Sequence, residues 1–252
     1  MLKILKYIYG AWLAVTFILV TIIMLICYLF LFLIPYKHQI VGVYFINRFF
    51  LFLWSVITGY FYIIKGKENI DKNQTYIAIS NHINTIDVVS ISFGLRVYAK
   101  PLVKKELTVI PGVGQLFSLM CLTVDRSNKE SRHRSKVNML SDLKKGISVF
   151  IFPEGTRNRS NDPLLPFFDG AFELAIDAQV PILPVIQLNT RKLNPHNTWM
   201  FRPGIIEIVH LPSIPTLGLT MDNMHELKAK VHAIMADFIA KNDEDFAGKA
   251  LV

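Results

Sequence analysis

The amino-acid sequence predicts an α/β fold, with a mostly parallel sheet flanked by helices and an N-terminal membrane-associated helical segment. After residue 65, short apolar runs alternate with helical patterns, which is typical of a parallel sheet covered on both faces. Before residue 65 the chain is dominated by long apolar stretches, in a protein of 252 residues that is 52% hydrophobic. We therefore expect a membrane anchor over residues 1–64 and an α/β domain over residues 65–252.

The first apolar segment is long enough to cross a bilayer. No residue between Tyr7 and Tyr36 is charged. A helix needs about 20 apolar residues to span a hydrocarbon core of roughly 30 Å, whereas the apolar region of a signal peptide has only about 7–15. No small-residue cleavage site follows the run. The segment is therefore expected to be an uncleaved anchor.

A second apolar stretch, residues 49–64, is shorter and rich in aromatic side chains. Its length is marginal for a span, so an interfacial or re-entrant helix is an equal alternative, and a core helix of the folded domain is a third. Basic residues flank both segments and do not fix their orientation. A hairpin that returns to the side it left is the simplest arrangement.

The remaining chain divides into strands and helices by its apolar periodicity and its helix-end signals. Strands are predicted over residues 75–80, 97–99, 122–124, 148–152, 182–188 and 205–210. Helices are predicted over residues 85–94, 131–145, 170–178 and 220–241. Thr85 is the expected N-cap of the first of these helices, and Gly146 ends the second.

The end of the first predicted strand carries a histidine and a carboxylate. His82 follows Asn81, and Asp87 lies five residues further on. Residues i and i+5 of one helix diverge by about 140°, so the two side chains can meet only if His82 lies in a loop and Asp87 in the next helix. Asp87 would then hold one imidazole nitrogen and leave the other free to act as a base. The structural alternative is a histidine that caps a strand end.

The strand at residues 148–152 leads into a second motif, Phe-Pro-Glu-Gly-Thr-Arg at residues 152–157. Gly155 allows a tight turn with exposed amides, and Arg157 offers a planar fork for phosphate oxygens, with Arg159 as an assistant. Glu154 is an unusual neighbour for an anion, so we assign it to orienting Arg157 or the hydroxyl of an acceptor. The alternative is an ordinary turn with a surface arginine.

These motifs resemble the glycerolipid acyltransferase family, whose four sequence blocks occur here in order. They are Asn81-His82 to Asp87, Asp125-Arg126, residues 152–157 and residues 180–185. Lys104-Lys105-Glu106-Leu107, followed by Ile110-Pro111, also matches a stretch that precedes the second block. The resemblance covers about residues 65–210.

The resemblance implies transfer of an acyl group from acyl-CoA or acyl carrier protein to the free hydroxyl of 1-acyl-glycerol-3-phosphate. It implies that His82 is the general base and that Asp87 orients it. It also implies a substrate-binding set, which we take to be Lys104, Lys105, Arg126, Glu154, Gly155, Thr156 and Arg157. This reaction requires no metal or bound cofactor.

The distribution of charge agrees with these partners. The net charge is +8, and residues 96–145 carry 11 Lys and Arg against 4 Asp and Glu. Such a basic region suits anionic lipid, an acidic carrier or nucleic acid. Beside a membrane anchor we expect the bilayer, a lysophospholipid and an anionic acyl donor, and no nucleic acid. The two cysteines suggest neither a disulfide framework nor a metal site, which fits a membrane protein whose catalytic domain faces the cytoplasm.

Three other functions stay open. Where the family usually has a glycine, six residues before Arg126, this chain has Met120. A bulkier side chain there could change the acceptor to another lysolipid. A catalytically silent membrane lipid-binding protein and a thioesterase that uses water as acceptor are the other two alternatives.

Overall fold

Seven strands form one sheet in the part of the chain that the computed structural model describes, which is residues 2–31, 33, 35–104, 121–125, 128–195 and 198–246. The strands are β1 (Tyr60–Lys65), β2 (Ile77–Ser80), β3 (Ala99–Lys104), β4 (Leu122–Val124), β5 (Ser148–Ile151), β6 (Ile182–Leu188) and β7 (Gly204–His210). Their order across the sheet is β1-β7-β6-β2-β5-β3-β4. The five strands from β6 to β4 are parallel, while β7 is antiparallel to β6 and parallel to β1. The mostly parallel sheet is therefore confirmed.

The helices cover both faces of this sheet. They are α1 (Leu2–Leu31), α2 (Tyr36–Thr58), α3 (Ile86–Gly94), α4 (Lys129–Lys144), α5 (Gly170–Ala178), the single turn α6 (Thr190–Leu193) and α7 (Met224–Asn242). Successive side chains of a strand point to opposite faces. Accordingly, Ile77 and Ile79 of β2 pack in the cluster formed with α4, α5 and α7, whereas Ala78 packs in the cluster formed with α1, α2 and α3.

The expectation of a helix over residues 49–64 is wrong. The apolar stretch divides at Gly59, which ends α2 in the left-handed conformation at φ +70° and donates its backbone N–H to the carbonyls of Ser55 and Val56. The chain then continues as edge strand β1, in which buried and exposed side chains alternate. The boundary expected at residue 65 cuts this strand, although the two-part organisation itself stays a prediction.

The first two helices are apolar and mostly uncovered. Residues 4–31 and 41–58 are long and apolar enough to cross a membrane, a property that signal sequences and the core helices of soluble proteins share. A core helix is mostly buried, however, whereas only 22% and 28% of these two segments is buried. Helices α1 and α2 pack against each other as a hairpin, and both also contribute to the core beneath the sheet.

The topology brings the two sequence motifs to one edge of the sheet. Strands β2 and β5 are adjacent and parallel, so the loops that follow them leave the sheet side by side. Strand β6 lies on the other side of β2 in the same direction. In open parallel sheets, ligands bind at the carboxyl ends of the strands, which is where His82 and Arg157 lie.

Gly66 tests the connection that follows edge strand β1. Its φ is +69°, and an added Cβ would lie 2.0 Å from the carbonyl oxygen of His210. Gly218 is a matched control, because its φ is +82° but an added Cβ meets no atom within 4 Å. Each alanine variant incurs the left-handed penalty of roughly 1–2 kcal/mol, and only Gly66→Ala adds a clash with backbone.

We therefore expect Gly66→Ala to lower the melting temperature in detergent at least twice as much as Gly218→Ala. One kcal/mol corresponds to about 2–4 °C for a protein of this size. Equal shifts for the two variants would show that the close approach at Gly66 is not needed.

Candidate active site

A buried side-chain bridge defines where strand β2 stops. Asn81 donates from Nδ2 to the Gln187 carbonyl (2.9 Å) and accepts at Oδ1 from the Gln187 backbone N–H (2.8 Å). Asn81 and Gln187 are fully buried. The amide thus extends the pairing between β2 and β6 beyond the last strand residue, and the loop that carries His82 begins from a fixed point.

The structure brings His82 and Asp87 into contact, with His82 in the loop and Asp87 in the first turn of α3. The distance between His82 Nδ1 and Asp87 Oδ2 is 3.0 Å, and the Asp87 side chain is fully buried. The same oxygen accepts the backbone N–H groups of Ile83 and Asn84. A carboxylate oxygen with these donors is an acceptor, so His82 carries its proton on Nδ1 and leaves Nε2 as the basic nitrogen.

Thr85 occupies the N-cap position of α3, as expected, but its side chain does not cap the helix. Thr85 makes no capping hydrogen bond. Instead, Asn84 Oδ1 accepts the backbone N–H of Ile86 at 2.8 Å, and Asn84 Nδ2 donates to the Thr190 carbonyl at 2.7 Å. The Thr85 hydroxyl is left to face outward, where it accepts a hydrogen bond from Arg157 Nη1 at 3.2 Å.

The second motif holds the histidine by its ring and by its backbone. The Phe152 ring stacks on the imidazole, with centroids 4.1 Å apart and planes inclined by 18°. The His82 backbone N–H donates to Glu154 Oε1 at 2.8 Å, and the Asn158 backbone N–H donates to the His82 carbonyl at 2.6 Å. Residues 152–158 therefore contact His82 on three sides.

The structure contradicts the expectation that Glu154 orients Arg157. It is only 2% exposed, and its second oxygen, Oε2, accepts the backbone N–H of Leu165 at 2.9 Å. Both carboxylate oxygens thus face backbone amides, rather than Arg157 or solvent. Burial raises the pKa of Glu154 to about 7, the two amide hydrogen bonds oppose this shift, and the charge of Asp87 adds to it.

The turn after Glu154 presents cationic side chains. Gly155 adopts φ +68°, and its N–H donates to the Phe152 carbonyl at 3.0 Å. Thr156, Arg157 and Arg159 are exposed. Because both arginines have solvent-facing guanidinium groups on one loop, they form a natural site for a phosphate.

A cavity of about 600 Å³ extends from these arginines to the N-terminal helices. Its polar end is lined by Asn84, Thr85, Arg157 and Arg159, and it begins directly beside the His82 loop. Its apolar wall is formed by Leu13, Ala14, Phe17, Trp54, Val89, Trp199 and Phe201. A cationic end and an apolar wall together suit an amphiphile with an anionic headgroup.

Some of the expected site residues cannot be placed. Lys104 ends strand β3, at the same edge of the sheet, but its side chain lies outside the described residues. Three whole residues, Lys105, Met120 and Arg126, also lie outside the described residues. In the described part of the chain, no three His, Cys, Asp or Glu side chains are grouped as metal ligands.

Sequence reasoning missed the contribution of Asn158 and the position of Phe152 against the imidazole. Phe152 is the first residue of the recognised motif and Asn158 follows its last residue, so proximity in sequence was a usable signal for both. Their contacts to His82 depend on the pairing of β2 with β5, and a sequence pattern within one segment does not show which strands pair.

Comparisons with known proteins point to one family. A family model described as Acyltransferase matches residues 62–187. A 1-acyl-sn-glycerol-3-phosphate acyltransferase of Haemophilus influenzae is 35% identical over 190 residues, which cover 73% of this chain and 78% of that protein. The protein of the same name from Escherichia coli is 37% identical over 174 residues, which cover 68% of this chain and 69% of its own.

A solved structure resembles the whole fold. The 1-acyl-sn-glycerophosphate acyltransferase of Thermotoga maritima matches 99% of this chain and 98% of its own, with a TM-score of 0.76 and 22% sequence identity. At that identity the match supports the architecture, including the N-terminal helices.

Ring-nitrogen spectra test the assignment of the histidine proton. Asp87 Oδ2 is the acceptor that faces His82 Nδ1, so we expect neutral His82 to be the Nδ1–H tautomer in ¹⁵N spectra of ring-labelled wild-type protein. The His82 signals are assigned by their loss in His82→Gln. In Asp87→Ala, which removes this acceptor, we expect the preference for the Nδ1–H tautomer to be lost. The Nε2–H tautomer in the wild type would contradict the proposed geometry.

Proposed function

Since this chain belongs to the acyltransferase family, we propose that it transfers an acyl group from an acyl thioester to the free hydroxyl of 1-acyl-glycerol-3-phosphate, forming phosphatidic acid. The observation that carries this proposal is the His82–Asp87 pair in a loop whose next residues, 83–85, line a cavity that also presents Arg157, Arg159 and an apolar wall. The names of the similar proteins from H. influenzae and E. coli support the same substrate.

The chemistry begins with His82 as general base. Nε2 takes the proton of the acceptor hydroxyl while the hydroxyl oxygen attacks the thioester carbonyl. The carbon–sulfur bond then breaks, and the proton passes from the imidazolium to the leaving thiolate. The buried carboxylate of Asp87 stabilises the imidazolium, and a positioned base of this kind contributes about 10²–10⁴ in rate.

The acceptor lies with its phosphate on the arginines. The guanidinium groups of Arg157 and Arg159 bind the phosphate by charge-assisted hydrogen bonds, and the Thr85 hydroxyl that contacts Arg157 holds that side chain beside α3. The glycerol backbone then reaches toward His82. The acyl chain follows the apolar wall, to which helices α1 and α2 contribute.

The N-terminal hairpin holds this site at a membrane. The exposed apolar side chains of α1 and α2 are covered by lipid, and residues of both helices line the cavity. A lysolipid can therefore pass from the bilayer into the site without crossing water. The acyl donor, acyl-CoA or acyl carrier protein, approaches from the cytoplasm, where we place the catalytic domain. The mechanism uses no metal or bound cofactor.

The catalytic arrangement argues against a silent lipid-binding protein. Burying the Asp87 carboxylate and orienting an imidazole with it costs free energy that lipid binding alone does not require. A different lysophospholipid acceptor would use the same chemistry, so an assay with several lysolipids is needed to identify the acceptor. Water in place of the lipid would make the protein a thioesterase.

Acyl transfer by the purified protein in detergent tests the proposal. With oleoyl-CoA and lysophosphatidic acid, we expect phosphatidic acid from the wild type and a loss of about 10²–10⁴ in rate for His82→Ala. His225→Ala, an exposed histidine on α7, is the matched control and should keep full activity.

Three other results would point away from the proposal. Product formed only with another lysolipid would change the acceptor. Free fatty acid released without a lysolipid would indicate the thioesterase. The absence of product with every lysolipid and with both donors would contradict the proposed reaction.

Arg157→Gln separates headgroup binding from chemistry. Loss of a charge-assisted hydrogen bond costs roughly 1.5–3 kcal/mol, so we expect KM for lysophosphatidic acid to rise about 10-fold or more. Activity on uncharged monoacylglycerol should be the same in the variant and in the wild type, because that acceptor has no phosphate. Arg202→Gln, also exposed, is the control. An unchanged KM for Arg157→Gln would place the phosphate elsewhere.

A further inference from the structure

We propose that Glu154 is a positioning residue. Its carboxylate forms a hydrogen-bonded tie between the loop of residues 81–85, which carries His82, and its own loop, residues 152–169, which carries Arg157. It does not bind the acceptor. The proposal rests on the proposed function in one respect only, that His82 is the base being positioned.

The two oxygens of Glu154 bind two different loops. Oε1 accepts the N–H of His82 in the loop after β2, and Oε2 accepts the N–H of Leu165 in the loop after β5. These strands are neighbours in the sheet, with Ile79 opposite Ile151. One buried carboxylate therefore sets the distance between the two loops at the point where they leave the sheet.

The backbone carbonyl of His82 is hydrogen-bonded as well. The Asn158 N–H donates to the His82 carbonyl, so Glu154 and Asn158 hold the two polar backbone groups of one residue. The Asn158 side chain in turn accepts the N–H of Ser160 and donates to the Asp162 carbonyl. Asp87 orients the imidazole ring, whereas residues 154 and 158 position the backbone that carries it.

The loop that contains Glu154 is itself anchored. Its ends are joined by the N–H of Phe168, which donates to the Pro153 carbonyl at 2.9 Å. His232 Nε2 of α7 donates to the Leu165 carbonyl at 3.2 Å, and Arg191 Nη2 donates to the Ser160 carbonyl at 2.5 Å. Glu154 is thus attached to a supported loop, and it can transmit that support to His82.

Glutamate is the side chain that suits this role. Aspartate is one methylene shorter, so it cannot span the same two amides without moving a loop. Glutamine offers one acceptor oxygen, but its NH₂ group would face the other N–H donor. Burial opposes ionisation of Glu154, and its pKa of about 7 reflects that cost, which the two amide hydrogen bonds reduce.

Hydrogen exchange tests the tie without any substrate. In Glu154→Gln we expect the amides of His82 and Leu165 to exchange faster, by about ten-fold or more for the one that faces the NH₂ group, because glutamine keeps only one acceptor oxygen and loses the charge. Exchange in strands β6 and β7 should not change. The matched control is Glu173→Gln on α5. It removes a partly exposed carboxylate that pairs with Lys136 of α4, and it should leave both amides protected.

Steady-state kinetics separate positioning from acceptor binding. For Glu154→Gln we expect kcat to fall about 100-fold, since a misplaced catalytic group costs about that much, while KM for lysophosphatidic acid stays within about two-fold. Glu154→Asp, which keeps the charge, should recover part of kcat. A rise in KM like that of Arg157→Gln, with kcat retained, would overturn the proposal.

Hydrogen exchange tests the tie, and the activity of the wild type tests the proposed function, so each can be contradicted without the other. Unchanged exchange at residues 82 and 165 would overturn the tie whatever the activity. A wild-type protein with no transferase activity would contradict the proposed function and leave the exchange result standing. If Glu154→Gln does not fold, Glu154→Asp takes over the exchange test, where faster exchange confined to the two amides supports the tie and full protection overturns it.

Discussion

The buried carboxylate of Asp87 is the interaction on which the site depends. One of its oxygens accepts the imidazole N–H of His82 and two backbone N–H groups of the same loop. Its position in the first turn of α3 also places the negative charge where the helix dipole favours it. These three donors offset part of the cost of burying the charge and fix the conformation of residues 82–84. The other oxygen, Oδ1, is buried and has no hydrogen-bond partner among the described residues.

Helix α3 must in turn be fixed, and it is held from both sides. Arg48 of α2 donates from Nη1 to the Phe93 carbonyl near the far end of α3, at 2.7 Å. Gly94 allows α3 to approach strand β7, since an added Cβ would lie 2.2 Å from Ile208 Cδ1. The same apolar hairpin that is proposed to enter the bilayer therefore positions the helix that carries Asp87. This links membrane attachment to the geometry of the site.

Much of this arrangement could be predicted from the sequence. Apolar periodicity identified strands β2, β4, β6 and most of β7, and the five-residue spacing of His82 and Asp87 predicted a loop followed by a helix. Residues 60–65 were misread because an apolar, aromatic run reads as a membrane helix unless the turn at Gly59 is weighed. The partners of Glu154 were not predicted, because His82 comes from another loop and Leu165 lies 11 residues further along the chain, so a pattern within residues 152–157 cannot show them.

A structure of the protein with lysophosphatidic acid bound tests the central claim most directly. We predict the acceptor hydroxyl within hydrogen-bond distance of His82 Nε2, about 2.6–3.2 Å, and the phosphate on the guanidinium groups of Arg157 and Arg159. The acyl chain should lie against Leu13, Phe17 and Trp54. A headgroup bound away from these arginines, with its hydroxyl out of reach of His82, would contradict the account.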